Sequence, residues 1–310
     1  MNKENKEHPL HTAARAGDHA MVREALKRHD SSARDVHGET ALHWASTVEV
    51  AKVLISAGAD IKRVDPNGDT PLHWACENGN LALVQYYIQC GADVNQANRR
   101  QDTPLHAAAA SSDAEVVRLL LDAQADAKAC NLALESPVHI ASRMGEVSMV
   151  KALVKAGAKI KTPAADGSVP MHEACKLPKG LQVVKYLIQR SCDVNVLTKT
   201  GRSPLQVAVK KRCKDIVDEL CEKGADVSGI AKDAAARGHG WTALHVAAEM
   251  GSLKLCQAVV KKGASFFDAE ARTNHGDTPA DIARKSALAS DKVIKFLDEQ
   301  IRLKKLAAGG

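Results

Sequence analysis

The sequence predicts an all-α solenoid, elongated and curved, of stacked helix pairs, on three observations. A tetrapeptide of the type Thr-Pro-Leu-His returns about every 33 residues. A Gly-Ala-Asp signature falls late in each period. Between the two, apolar residues come as adjacent pairs at helical spacing, as in Leu83, Val84, Tyr87 and Ile88. A fixed period of this length marks a repeat architecture, in which no unit buries its faces alone.

The tetrapeptide runs from His8-Pro9-Leu10-His11 and Thr40-Ala41-Leu42-His43 to Thr70-Pro71-Leu72-His73 and Thr103-Pro104-Leu105-His106. Looser copies begin at Ser136, Val169, Ser203, Thr242 and Thr278. Thr70, Thr103, Ser136 and Val169 follow one another at 33 residues; the next two steps are 34 and 39. The late signature reads Gly58-Ala59-Asp60, Gly91-Ala92-Asp93-Val94-Asn95, Gly157-Ala158 and Gly224-Ala225-Asp226-Val227.

Each element has a local cause. Thr70 suits a helix N-cap and Pro71 the first turn, where an N–H would be orphaned anyway. His73 stands three residues on, within reach of the threonine as a capping-box partner. Gly79 can take the left-handed conformation that stops this short helix. The second helix is apolar on two sides (Met149, Val150, Leu153 and Val154; Val183, Val184, Leu187 and Ile188), so it must lie between neighbours. Gly91 ends it, and Asp93-Val94-Asn95 leads into a hairpin-like loop.

These motifs resemble the ankyrin repeat family, in nine consecutive copies covering residues 5–303 as one domain. Units fall near 5–34, 35–64, 65–97, 98–130, 131–163, 164–197, 198–230, 237–270 and 273–303, with 304–310 as a short flexible tail. The outer units should be polar outside, as Arg23, Glu24, Lys27 and Arg28, and Lys292, Lys295, Asp298 and Glu299, suggest. Several departures stand out. Gln124 and Ser191 replace the glycine after the second helix, at a cost of about 1 kcal/mol each if left-handed. Gln206 replaces the histidine. Repeat two is three residues short after Trp44, so its first helix is clipped. Ser228–Gly240 should form a polar excursion, and Phe266-Phe267 sits in an extension before repeat nine.

Composition excludes several classes. Net charge is +6, from 43 Lys+Arg against 37 Asp+Glu, too mild to name a nucleic-acid partner. No apolar run reaches the roughly 18 residues of a membrane span, and the polar start and the cysteine-free tail suggest neither a secretory signal nor a lipid anchor. The eight cysteines include no CxxC pair and read as reduced thiols. Seven of the 13 histidines occupy one repeat position and read as helix-start hydrogen bonds, spaced too widely to share a metal ion. His172-Glu173-Ala174-Cys175-Lys176 is not HExxH, and no nucleophile elbow or phosphate loop is present. The chain is therefore expected to be neither an enzyme nor a cofactor or metal protein.

Function should then lie on the surface, and the resemblance implies loop tips and the open side of each first helix. The candidate contacts are Arg99, Arg100, Leu132, Met144, Lys176, Lys199, Arg202, Lys210, Lys211 and Trp241. Two features single them out. From Ala174 to Lys214 there are ten basic residues and one acidic, Asp193. That stripe suits an acidic peptide or protein surface. Near-absence of aromatics there disfavours single-stranded nucleic acid. Leu132, Leu134 and Met144 form an apolar cluster at repeat five; Trp44 and Trp74 read as packing between repeats, and Trp241 as the better tip contact. Asn195, in Asp193-Val194-Asn195, resembles the asparagine hydroxylated in some animal ankyrin proteins. The expectation is a monomeric, cytoplasmic or nuclear protein-binding scaffold, with an acidic-ligand or nucleic-acid binder through repeats six and seven as the alternative and an enzyme as a remote one.

Overall fold

The computed structural model describes residues 8–230, 233, 241–261 and 269–308. Within them are 17 α-helices, one short 3-10 helix and no strand. The chain divides into two compact units between Lys159 and Ile160, inside the fifth repeat, where the sequence suggested one domain.

The first unit holds α1 (Pro9–Ala16) and α2 (His19–Leu26), α3 (Val48–Ser56), α4 (Pro71–Glu77) and α5 (Leu81–Gln89), α6 (Pro104–Ser111) and α7 (Ala114–Asp122), and α8 (Pro137–Met144) and α9 (Val147–Lys155). The second holds α10 (Pro170–Ala174), the 3-10 turn Pro178–Gly180, α11 (Leu181–Gln189), α12 (Pro204–Lys210), α13 (Lys214–Glu222), α14 (Ala243–Glu249), α15 (Leu253–Lys261), α16 (Pro279–Lys285) and α17 (Asp291–Ala308). First helices pack on first helices, α4 on α6 and α6 on α8, while second helices form their own row, α5 on α7 and α7 on α9.

The local reasons are those the sequence offered. Thr70 is an extended N-cap whose hydroxyl accepts from the His73 N–H, while His73 Nδ1 accepts from the Thr70 N–H at 3.1 Å. Gly79 is left-handed, at φ 64°. Leu72 and Ala75 of α4, and Leu83, Val84 and Tyr87 of α5, are buried. Fully burying each such leucine contributes about 2 kcal/mol. Gln124 and Ser191 are left-handed, at φ 67° and 55°.

Repeat two has no first helix. Residues 41–44 form only turns, and Val48 opens α3 eight residues after Thr40, where Leu81 follows Thr70 by eleven. The shortened backbone is stitched from outside. Ser46 donates its N–H and its hydroxyl to the Ala14 carbonyl, each at 3.3 Å, and Asn80 Nδ2 donates to the Ser46 carbonyl at 3.0 Å.

The loop tips are joined edge to edge. Arg99 N–H donates to the Asn67 carbonyl at 2.9 Å, and Leu132 N–H to the Arg100 carbonyl at 2.9 Å. This close approach demands glycine at Gly68: φ is 85°, and a Cβ there would stand 2.8 Å from the Arg99 nitrogen.

One expectation is corrected at the end of the chain. Residues 304–308 continue α17 as helix instead of a flexible tail. Lys304 and Lys305 approach Glu270 at 3.5 and 3.9 Å, and Leu306, Ala307 and Ala308 are strong helix formers. The polar start at residues 1–7, Phe266-Phe267 and most of the Ser228–Gly240 excursion lie outside the described residues.

Candidate functional site

The histidines form a ladder with one role. His43 Nε2 lies 3.0 Å from the Asp69 carbonyl, His73 Nε2 3.1 Å from Asp102, His106 Nε2 3.1 Å from Glu135, and His172 Nε2 3.1 Å from Arg202. A carbonyl only accepts, so Nε2 carries the proton and Nδ1 is left to accept from the backbone N–H of the cap residue, Thr40, Thr70, Thr103 or Val169. Each ring thus ties a helix start to the loop of the next repeat, which the local motif alone did not reveal. Burial holds His43, His73 and His172 below the usual imidazole range and His106 down at about 4, so the rings are neutral. Gln206 performs the same office: its Oε1 accepts from the Ser203 N–H at 3.0 Å and its Nε2 donates to the Gly229 carbonyl at 3.2 Å.

The thiols are equally quiet. Burial raises the Cys76, Cys175 and Cys256 thiols well above their ordinary value, which disfavours the nucleophilic thiolate. Among the described residues no group of three His, Cys, Asp or Glu side chains is placed to hold a metal ion. None of the described helices is long and apolar enough to cross a membrane.

The candidate contacts are carried on tips and first helices. Arg99 and Arg100 are exposed on the fourth tip, with Arg100 Nε 3.3 Å from Asp102. Leu132 projects from the fifth tip with 69% of its surface exposed, and Met144 closes α8, half-buried. Lys199 and Arg202 share one tip and are exposed; Lys210 ends α12 and Lys211 follows it, also exposed. Trp241 is half-buried against the His245 ring, 5.8 Å between centroids.

Three charges of the stripe are already spent, one of them that of Lys185, whose Nζ lies 3.5 Å from Glu219. Lys176 Nζ sits 2.7 Å from both oxygens of buried Glu173, and Arg212 lies 3.5 Å from Glu249. Lys199, Arg202, Lys210 and Lys211 make no ion pair with any described residue. Asn195 faces outward from its loop, yet both ends of its amide are used. Its Oδ1 accepts from the Asp226 N–H at 2.7 Å and its Nδ2 donates to the Gly224 carbonyl at 3.5 Å.

Trp44 of the clipped turns and Trp74 of α4 pack together, as their positions suggested. Trp44 and Trp74 lie 5.1 Å apart between centroids, nearly edge to face. Trp44 Nε1 donates to Asp35 Oδ2 at 3.2 Å and Trp74 Nε1 to Asp65 Oδ2 at 3.3 Å, aspartates nine residues upstream in each case.

Paired helices, bridged loops and buried bridging histidines define a helical repeat protein. The chain belongs to the ankyrin repeat family. The family model "Ankyrin repeats (3 copies)" matches residues 1–65, 46–131, 72–164 and 138–231, and "Ankyrin repeat" matches 239–273. Human "Ankyrin repeat and KH domain-containing protein 1" is 32% identical over 98 residues, 32% of this chain and 4% of that protein. Mouse "B-cell lymphoma 3 protein homolog" is 35% identical over 104 residues, 33% of this chain and 21% of that one. The matches therefore span only a small part of these relatives. Repeats of this family generally mediate protein–protein interaction and are typically non-catalytic.

Proposed function

We propose that this chain is a non-catalytic scaffold that binds a partner protein along its loop tips and first helices, with an acidic segment seated on repeats six and seven. One observation carries the reading. Lys199 and Arg202 stand exposed on one tip, and Lys210 and Lys211 at the end of the helix that follows it, without an ion-pair partner among the described residues, while other cations of the stripe are neutralised internally. Unpaired cations at such a position steer encounter and select an acidic partner. The nucleic-acid alternative lacks a stacking platform, since Tyr186, the aromatic residue of that stretch, is buried.

Replacing Lys199, Arg202 and Lys211 together by Glu tests it. Crosslinking isolation with the wild-type chain should place partner contacts on these residues, and the triple variant should lose that partner. Recovery of the same partner by the variant would overturn the basic-face assignment. A salt titration separates the alternative, because nucleic acid gives a steep fall in affinity with rising salt. The proposal also takes the chain as a monomer of the cytoplasm or nucleus, checked by sedimentation and by imaging of the tagged protein. Hydroxylation at Asn195 is part of the same reading, and intact mass should show one added oxygen on native protein.

A further inference from the structure

We propose that the fourth and fifth loop tips form a second binding surface, taking an acidic amphipathic segment of a partner protein. The surface rests on the reading of the chain as a binding scaffold but not on its basic face.

The backbone marks the place. The tips of repeats two to seven and of repeat nine each turn through a left-handed residue, whose N–H donates to the carbonyl three residues back. Glycine fills that position at Gly38, Gly68, Gly167, Gly201 and Gly276, as the conformation favours. On the fourth and fifth tips Gln101 and Leu134 fill it instead, at φ 62° and 55°. These two tips abut, because Leu132 N–H donates to the Arg100 carbonyl at 2.9 Å. Leu132 and Leu134 are 69% and 52% exposed, and Gln101 is exposed as well. Side chains held in a disfavoured conformation and turned to solvent return little to the fold, so their place is explained by contact with something outside it. The two leucines give that contact an apolar centre.

Charge decides the occupant. The acids of this region are consumed within the fold. Asp69 Oδ1 accepts from Asn98 Nδ2 at 2.7 Å, Asp102 Oδ1 accepts from Asn131 Nδ2 at 2.8 Å, and Glu135 is paired with Arg143. The guanidiniums of the fourth tip are not. Arg99 is exposed, and its side chain makes no hydrogen bond or ion pair with any described residue. Arg100 approaches Asp102 through Nε alone, at 3.3 Å, and 81% of its side chain is exposed against 17% for the aspartate. Its remaining N–H groups are open to a carboxylate. The surface is thus apolar at Leu132 and Leu134 and cationic at Arg99 and Arg100. It matches a segment with a large apolar side chain beside carboxylates, whereas a basic segment would be repelled.

A displayed library of randomised ten-residue peptides tests the assignment. The wild-type chain and the variant with Lys199, Arg202 and Lys211 all changed to Glu are probed side by side, so that peptides held by the basic face drop out of the second selection. Both chains should enrich sequences that set Leu, Ile, Phe or Trp beside Asp or Glu. Leu132→Ala and Arg99→Glu, each at an exposed position, should weaken those peptides at least about tenfold. Failure of the basic face leaves this result untouched, so the two are distinguishable. No enrichment by the triple variant, enrichment of basic or uncharged sequences, or binding indifferent to Leu132→Ala and Arg99→Glu would each overturn the proposal. Self-association of the full chain that vanishes in Leu132→Ala would overturn it too, by giving the surface to a second copy.

Discussion

The Tyr87 hydroxyl donates to the Leu42 carbonyl at 3.0 Å, across 45 residues of sequence. In a full first helix that carbonyl would accept from the N–H four residues on. In repeat two that group, Ser46 N–H, is bonded to Ala14 instead, and Ala45 N–H reaches Leu42 only at 3.4 Å. Tyr87, from repeat three, thus supplies a donor to the clipped turns of repeat two that a full helix would supply for itself. Tyr87→Phe keeps the packing and leaves that buried carbonyl only the long Ala45 bond, so stability should fall by about 1 kcal/mol. Urea denaturation checks this, and an unchanged midpoint would show that the Ala45 bond suffices.

The histidine ladder sets an acid limit. His106 is held at about 4 by burial, below the 6.5 of a free imidazole, so the unfolded chain takes up the proton first. Its contribution is complete above pH 6.5, is lost as pH falls from 6.5 towards 4, and changes no further below that. The loss is on the order of 3 kcal/mol, with His43, His73 and His172 acting in the same direction. His106→Gln should keep both hydrogen bonds, as Gln206 does, without the proton. Denaturation midpoints measured against pH should match wild type near pH 8 and decline less on acidification. A variant with the wild-type acid profile would refute this origin.

The repeat, the Thr–His caps, the left-handed Gln124 and the clipped helix were legible because each depends on residues within about one turn of one another. The second half of the histidine's role was not, since the Asp69 carbonyl that meets His43 lies 26 residues on and depends on stacking register. Nor was the use of Lys176 by Glu173, although they stand three apart, because a charge run does not say which acid is buried beneath it. A cleft beside Trp44 was missed for a related reason: the deletion was visible, but the space it opens is defined by Arg15 and Trp74 from flanking repeats. The run of α17 to Ala308 was hidden by reading the repeat period as an end point.

Gln124 sits in the position glycine holds at Gly91 and Gly224, where a Cβ would meet nothing within 4 Å. Backbone conformation, not space, is therefore the cost of the side chain at φ 67°. Gln124→Gly should stabilise the fold by about 0.5–1 kcal/mol, the relief of left-handed strain being partly offset by the freer unfolded chain. The Asn95 amide donates to the Gln124 backbone carbonyl at 3.2 Å, so that bridge survives the change. Thermal or chemical denaturation below the wild-type midpoint would count against the strain argument.

Leu134 presents the same strain with a different consequence. It stands at φ 55° on the fifth tip, where Gly68 occupies the matching place on the third and Gly201 on the seventh, and 52% of its surface is exposed. A leucine here costs about 1–2 kcal/mol of backbone strain and returns little packing to the fold. Together with Leu132 it forms an apolar knob beside Arg99 and Arg100, the kind of anchor a binding surface uses. Leu134→Gly should therefore raise stability by about 1 kcal/mol while weakening any partner that crosslinks to the fourth and fifth tips. Leu132→Ala, at an exposed position, should leave stability within about 0.5 kcal/mol and weaken the same partner. Opposite signs of stability and affinity in Leu134→Gly would mark the residue as kept for contact. A variant that binds as tightly as wild type while folding more stably would show that the knob serves no partner at that edge.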